Sequence, residues 1–274
     1  MKHRIGVCSW SLRPQSPVDL AEKVRATGLV RVQLALDPLR TGRWDAQATA
    51  DTLAAAGLKI ESGMLQTHGE DYSSLAAIRD TGGLRPDGTW RKNLEAARAN
   101  AKLARRLGLE LVTFHAGFLP EQSGDPERAK LIGRLRTFCE VFADEGVRLG
   151  LETGQETAAT LAGVLDELDH PAAGVNFDPA NMILYGMGDP VAALRLLEPH
   201  VRQIHVKDAL PSDTPGEWGS EVRAGTGRVD WKAFLRLARE LGVAFLIERE
   251  AGEERVVDIA AARALVEREL GPSA

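Results

Sequence analysis

The sequence predicts an α/β protein built as a single (β/α)8 barrel. Short apolar, β-branched runs recur along the chain, each followed by a longer segment of helical period, and the alternation repeats eight times. Spread over 274 residues this gives about 34 residues per unit, and eight such units match the roughly 250 residues typical of this barrel. A doubly wound open sheet is the runner-up. It would usually carry a glycine-rich phosphate loop after its first strand, and CSWSLRP is nothing of that kind. No Ser/Gly linker or low-complexity run interrupts the chain, so residues 1–274 read as one domain.

The expected strands are RIGVCSW (4–10), VRVQLAL (30–36), LKIESGML (58–65), LELVTFH (109–115), VRLGLE (147–152), AGVNFD (173–178), RQIHVK (202–207) and VAFLIE (243–248). Helices follow from punctuation as much as from period. PVDLAEKVRATG opens on Pro17 and stops at Gly28, residues 89–108 close on Gly108, and residues 125–146 run from an Asp start to a Gly stop. TAATLAGVLDEL, DPVAALRLLEP, DWKAFLRLARELG and ERVVDIAAARALVEREL supply the later helices.

Composition narrows the class. With Lys+Arg 34 against Asp+Glu 39 the net charge is -5, which argues against a nucleic-acid surface. No run is long and apolar enough for a membrane helix, and the six-residue apolar patch before Arg13 is too short for a signal-peptide core. Two cysteines, Cys8 and Cys139, make no disulfide framework, so a reducing cytoplasm is the expected location.

Chemistry in such a barrel sits at the C-terminal strand ends. Strand four ends in His115, strand five in Glu152 and strand six in Asp178; strand seven carries His205, and strand eight ends in Glu248. Unpaired carboxylates are costly at buried strand ends, and three of them with a histidine on four consecutive strands call for a divalent cation. Glu152, Asp178, His205 and Glu248 offer three oxygen donors and one nitrogen, a set suited to one Mn²⁺, Co²⁺, Mg²⁺ or Zn²⁺ ion with positions left for substrate. Such an ion polarises a sugar carbonyl and acidifies the neighbouring C–H. Glu152 and Glu248 are then placed to remove a proton from one face and return it to the other. That is isomerase or epimerase chemistry on a small carbohydrate.

The segments LGLETGQE, VNFDPANMILYG, RQIHVKDA, AGTGRVDW and FLIERE, with GGLRPDGTWRKNLEAARANAKLARRLGLELVTFHAGFLP, resemble the sugar phosphate isomerase/epimerase superfamily with the xylose isomerase-like TIM barrel. The resemblance runs from strand one to strand eight. In the metal-dependent ketose 3-epimerases of that superfamily, a Glu, an Asp, a His and a Glu after strands five to eight bind the metal, and the two Glu are the acid/base pair. Motif match carries these roles to Glu152, Asp178, His205 and Glu248. Two departures alter the substrate contacts: Asn181 stands where those epimerases have a His, and Pro211 where they have an Arg. The superfamily also holds dehydratases and abasic-site endonucleases, so membership specifies the fold better than the reaction.

Other residues complete the expected pocket. His115 is placed to bond a substrate hydroxyl or carbonyl, Asn181 a hydroxyl, Asp208 an imidazole or a hydroxyl, and Trp10 to form an apolar wall. Arg223, with Arg228, flanks the glycines of VRAGTGR, a loop expected to close on substrate or to bind phosphate. Ordinary packing accounts as well for Trp44, Trp218 and His68. Lys207, on a strand of alternating faces, is expected to point away from His205 unless the strand ends there. Cys8 reads as core, with no histidine beside it. A lyase that expels a β-hydroxyl after the same proton abstraction is the alternative reaction. An endonuclease with a multi-metal cluster and a non-catalytic sugar-binding barrel trail it. Homo-oligomerisation stays open.

Overall fold

The apolar runs become strands in a computed structural model that describes residues 3–214 and 216–270. In chain order these are β1 (Ile5–Cys8), β2 (Arg31–Ala35), β3 (Lys59–Met64), β4 (Leu111–Phe114), β5 (Arg148–Glu152), β6 (Ala173–Phe177), β7 (Val201–Val206), β8 (Asp208–Leu210), β9 (Ser220–Val222) and β10 (Ala244–Ile247). All but β8 and β9 pair in parallel into a closed barrel of order β1-β10-β7-β6-β5-β4-β3-β2. The molecule is thus a (β/α)8 barrel, and the open sheet is excluded by the pairing of β1 with both β2 and β10. Helices pack around it because their apolar stripes need cover. The two phenylalanines Phe114 and Phe138 stack between β4 and the helix Pro126–Ala143, with ring centroids 5.5 Å apart.

Local chemistry sets where the helices begin. Ser16, Asp45, Ser74, Asp125, Thr157, Asp178, Asp189 and Asp230 each accept a bond from a backbone N–H in the first turn of the helix they precede. Asp125, Thr157, Asp189 and Asp230 are the starts at which the sequence places helices.

Three features depart from expectation. β1 stops at Cys8, and Ser9–Leu12 form a 3₁₀ turn, so Trp10 leaves the strand and swings over the barrel mouth. β8 and β9 form an antiparallel hairpin in what read as a long loop after strand seven. The short helix Pro179–Leu184 follows β6 directly, started by Asp178. No helix among the described residues is long and apolar enough to cross a membrane.

The barrel interior is unusual in being threaded by polar side chains where branched apolar residues normally fill the layers. Ser62 Oγ donates to Gln203 Oε1 (2.6 Å), Gln203 Nε2 to Asn176 Oδ1 (3.1 Å), and Gln33 Nε2 to Thr113 Oγ1 (2.7 Å). Apart from a small cluster of Cys8, Ala244 and Leu246, most apolar packing lies in the layer between sheet and helices. Phe138, fully buried there against Phe114 and Trp90, is its centre. Phe138→Ala should cost about 3–5 kcal/mol, read as a lower urea midpoint at unchanged slope.

Candidate metal centre

β5 ends on Glu152, β6 hands over to Asp178, β7 carries His205, and Glu248 follows β10; all four side chains are buried. His205 Nδ1 lies 3.3 Å from Glu152 Oε1, 3.5 Å from Glu248 Oε2 and 3.7 Å from Asp178 Oδ2. The four donor atoms fall within 4.8 Å of one another. Ligands about 2.0–2.3 Å from one ion are separated by roughly 3 to 4.5 Å, so this spacing fits donors around a single cation.

Each donor is aimed by its surroundings. Asp178 starts the helix Pro179–Leu184, and its Oδ1 accepts from Ala180 N (2.8 Å) and Asn181 N (3.0 Å). That leaves Oδ2 buried and without a hydrogen-bond partner. His205 is held from below: Gln33 Oε1, whose own amide nitrogen is committed to Thr113, sits 2.8 Å from Nε2 and accepts its proton. The outer nitrogen, Nδ1, is then the free one, and it too has no hydrogen-bond partner. Two orphaned buried polar atoms pointing at three carboxylates are expensive in a metal-free protein, about 1–3 kcal/mol each, and a divalent ion satisfies both. The donor set fits the group.

The electrostatics follow. Burial pushes the Glu248 carboxyl up, but the Lys207 and His205 charges outweigh it and hold it well below the usual carboxylate range. Burial dominates at Asp178 and raises it. At His205 burial opposes protonation, yet Cys8 and the carboxylates of Glu152 and Glu248 lift its pKa well above the ordinary imidazole value.

Lys207 is a correction to the sequence reading. It lies two residues beyond His205, and a strand period of two puts both on one face. Its Nζ donates to Glu248 Oε2 (2.9 Å), Glu250 Oε2 (2.7 Å) and Asn181 Oδ1 (3.3 Å), and lies 3.9 Å from Asp178 Oδ2. Asn181 is correspondingly engaged within the protein, its Nδ2 donating to Glu152 Oε1 (3.0 Å). Gly154 permits that contact, since a Cβ there would sit 2.3 Å from the Asn181 Cβ.

Trp10 brings its nitrogen to the site as well as its ring: Nε1 donates to Glu248 Oε1 (2.6 Å). His115, just past β4, places Nε2 3.8 Å from Glu152 Oε1. Both line a cavity of about 480 Å³ in front of the carboxylates, together with Met64, Tyr72, Glu248 and Glu250. Beside it Tyr185 meets Phe118 and Trp218 edge to face, and Trp218 in turn meets Tyr72 at a tilt.

Asp208 and Arg223 are not brought to this centre. The buried Asp208 carboxylate accepts from Gly225 N (2.8 Å), Gly227 N (3.0 Å), Val229 N (3.2 Å) and Trp231 Nε1 (2.9 Å). It therefore fills the amide cradle of the VRAGTGR loop that had been read as a phosphate site. Arg223 is exposed on that loop, and His68 is half-buried and does not line the cavity. Cys8 proves to have a histidine neighbour, its Sγ 3.7 Å from His205 Nε2. It touches the inner nitrogen, however, and burial pushes its thiol up to about 12. Sequence reading also missed Gln33 and Asn176; a polar residue inside an otherwise apolar strand was the available signal.

Two outcomes follow. Asp208→Ala strands several buried N–H groups and should destabilise the fold by at least about 3 kcal/mol, with faster amide exchange at residues 225–229. A thiol reagent such as dithionitrobenzoate should modify neither Cys8 nor Cys139 in the native protein, both being buried with raised pKa, and both once urea unfolds it.

Comparison with known proteins agrees with this architecture. A crystal structure of a xylose isomerase domain protein from Planctomyces limnophilus superposes with a TM-score of 0.88 at 31% identity, covering 98% of this chain and 99% of that one. A D-allulose 3-epimerase from Methylomonas sp. shares the fold at 14% identity and TM-score 0.72, over 98% of both chains. A 3-dehydroshikimate dehydratase from Bacillus anthracis is 33% identical over 91 residues, a match spanning 32% of this chain and 32% of that enzyme. The family model for the xylose isomerase-like TIM barrel matches residues 19–268, and the chain belongs to that family.

Proposed function

We propose that the chain is a divalent-metal-dependent isomerase or epimerase acting on a keto sugar or related polyhydroxy ketone. The observation that carries the reading is the pair Glu152 and Glu248, whose Oε1 and Oε2 atoms lie 3.3 Å and 3.5 Å from the free nitrogen of one histidine. Glu152, Asp178, His205 and Glu248 would hold the ion, which when bound supplies Lewis-acid polarisation of a ketone and its neighbouring hydroxyl.

The chain's own residues do the rest. One carboxylate takes the proton from the carbon beside the ketone, and the other returns a proton to complete the isomerisation. Neither needs to reorient, because hydrogen bonds already fix both: Glu152 from Asn181 and Asn176 (3.0 and 3.3 Å), Glu248 from Trp10 and Lys207 (2.6 and 2.9 Å). The Lys207 ammonium stands by as negative charge develops on the substrate oxygens. Trp10, Met64 and Tyr72 exclude water from the cavity they line.

His115 favours a second reading. Its Nε2 is 3.8 Å from Glu152 Oε1 while Nδ1 has no partner, so it is placed to protonate a departing hydroxyl. The same abstraction would then end in loss of water, as the local match to a dehydratase also suggests. Both readings share the metal site and the base.

Protein soaked in Mn²⁺ and desalted should retain about one ion per chain, lost in the Glu152→Gln/Glu248→Gln double variant; no retained metal overturns the reading. Uptake should release protons and strengthen as pH rises, because the raised pKa of His205 makes a proton the ion's competitor. Calorimetry in buffers of different ionisation enthalpy measures that release. With ketoses in D2O, an isomeric or epimeric sugar carrying deuterium beside the carbonyl marks an isomerase, and a deoxy-dicarbonyl trapped with o-phenylenediamine marks the lyase. Either single Glu→Gln variant should lower kcat by about 10²–10⁴.

A further inference from the structure

The cavity that holds Glu248 and His115 on its wall extends to the loop after β2, where Asp37, Thr41 and Arg43 line it. Its charged groups are almost all answered from within the protein. Asp37 pairs with Arg40 (2.6 Å), Glu248 and Glu250 share Lys207 (2.9 and 2.7 Å), and Glu70 accepts the Thr67 hydroxyl (2.7 Å). Arg43 is the exception. Its guanidinium lies 5.6 Å from the centre of the buried Trp44 ring, and no carboxylate among the described residues pairs with it. Seated on an indole and exposed at a cavity whose acidic groups are Asp37, Glu70, Glu248 and Glu250, the Arg43 guanidinium is free to take an anion from solution.

We infer that Arg43 binds an anionic end of the substrate, which is a polyhydroxy ketone bearing a carboxylate at the end away from its carbonyl. The inference rests on the keto-sugar reading above for the carbonyl end. A carboxylate suits the site better than a phosphate ester. One planar guanidinium matches a single carboxylate in charge and in bidentate geometry, whereas a phosphate dianion would face Glu70 and Glu250 with only one cation to balance it. The other cradle where phosphate was expected, the amides of residues 225–229, is already filled by Asp208.

Three matched probes test this on Mn²⁺-loaded protein: D-fructose, D-fructuronate (the same ketose with carbon 6 as a carboxylate) and D-fructose 6-phosphate. Calorimetry gives the affinities, and deuterium incorporation in D2O gives turnover. D-fructuronate should bind at least about tenfold more tightly than D-fructose. That ratio should fall towards one in Arg43→Gln and be partly kept in Arg43→Lys. The exposed position of Arg43 leaves both variants folded. Equal binding of D-fructose and D-fructuronate, a preference for the phosphate, or a ratio that survives in Arg43→Gln would overturn the role of Arg43 and leave the keto-sugar reading standing. Binding of none of the three by metal-loaded protein would overturn the keto-sugar reading, and this inference with it.

Discussion

The structure turns on the orientation of one imidazole. His205 is fully buried, with one nitrogen in the barrel interior and the other at its mouth. Gln33 takes the proton of the inner nitrogen at 2.8 Å, which leaves the lone pair of the outer nitrogen facing Glu152, Asp178 and Glu248. Gln33 is itself oriented by Thr113, and Asn176, tied to Gln203 and through it to Ser62, donates to Glu152. The polar thread through the barrel is therefore the support of the site. Filling those positions with leucine would improve the apolar packing and leave the imidazole free to turn.

The second constraint is charge. Three carboxylates packed around one histidine cannot all be desolvated without compensation. The protein supplies part of it in Lys207, and the orphaned atoms of Asp178 and His205 mark what it leaves to a ligand. Asn181 mediates between the two halves, donating to Glu152 and accepting from Lys207. A residue expected from the sequence to contact substrate is thus also tied to Glu152 and Lys207.

The barrel was legible because its signal is repetitive: eight apolar runs, most with a helical segment after them, survive errors of a residue or two at any boundary. The four donors were legible for a related reason, since strand ends fall at predictable places and charged residues there stand out. What escaped was determined by contacts between distant segments. Nothing local to RIGVCSW says that the strand stops at Cys8 and that a 3₁₀ turn delivers Trp10 to Glu248. Asp208 looked like a partner for an imidazole or a substrate hydroxyl because it adjoins the His205 strand; its bonds depend on a loop some twenty residues later folding back on it. Lys207 is different. Its register with His205 was readable from the strand period alone.

The two glutamates are not equivalent, and their neighbours say how. Amide nitrogens hold both oxygens of Glu152, with His115 beside it, whereas a buried ammonium and an indole N–H hold Glu248. Burial opposes ionisation at both and is outweighed at both, but Lys207 takes Glu248 much further below the usual carboxylate range. A carboxylate facing a full positive charge is the weaker base of a pair. In the proposed reaction, proton abstraction would then fall more easily to Glu152, and charge stabilisation beside the substrate oxygens to the Glu248–Lys207 pair. Such asymmetry would suit a reaction that takes a proton from one face of a carbon and commits it elsewhere, whether back to carbon or, through His115, to a departing hydroxyl.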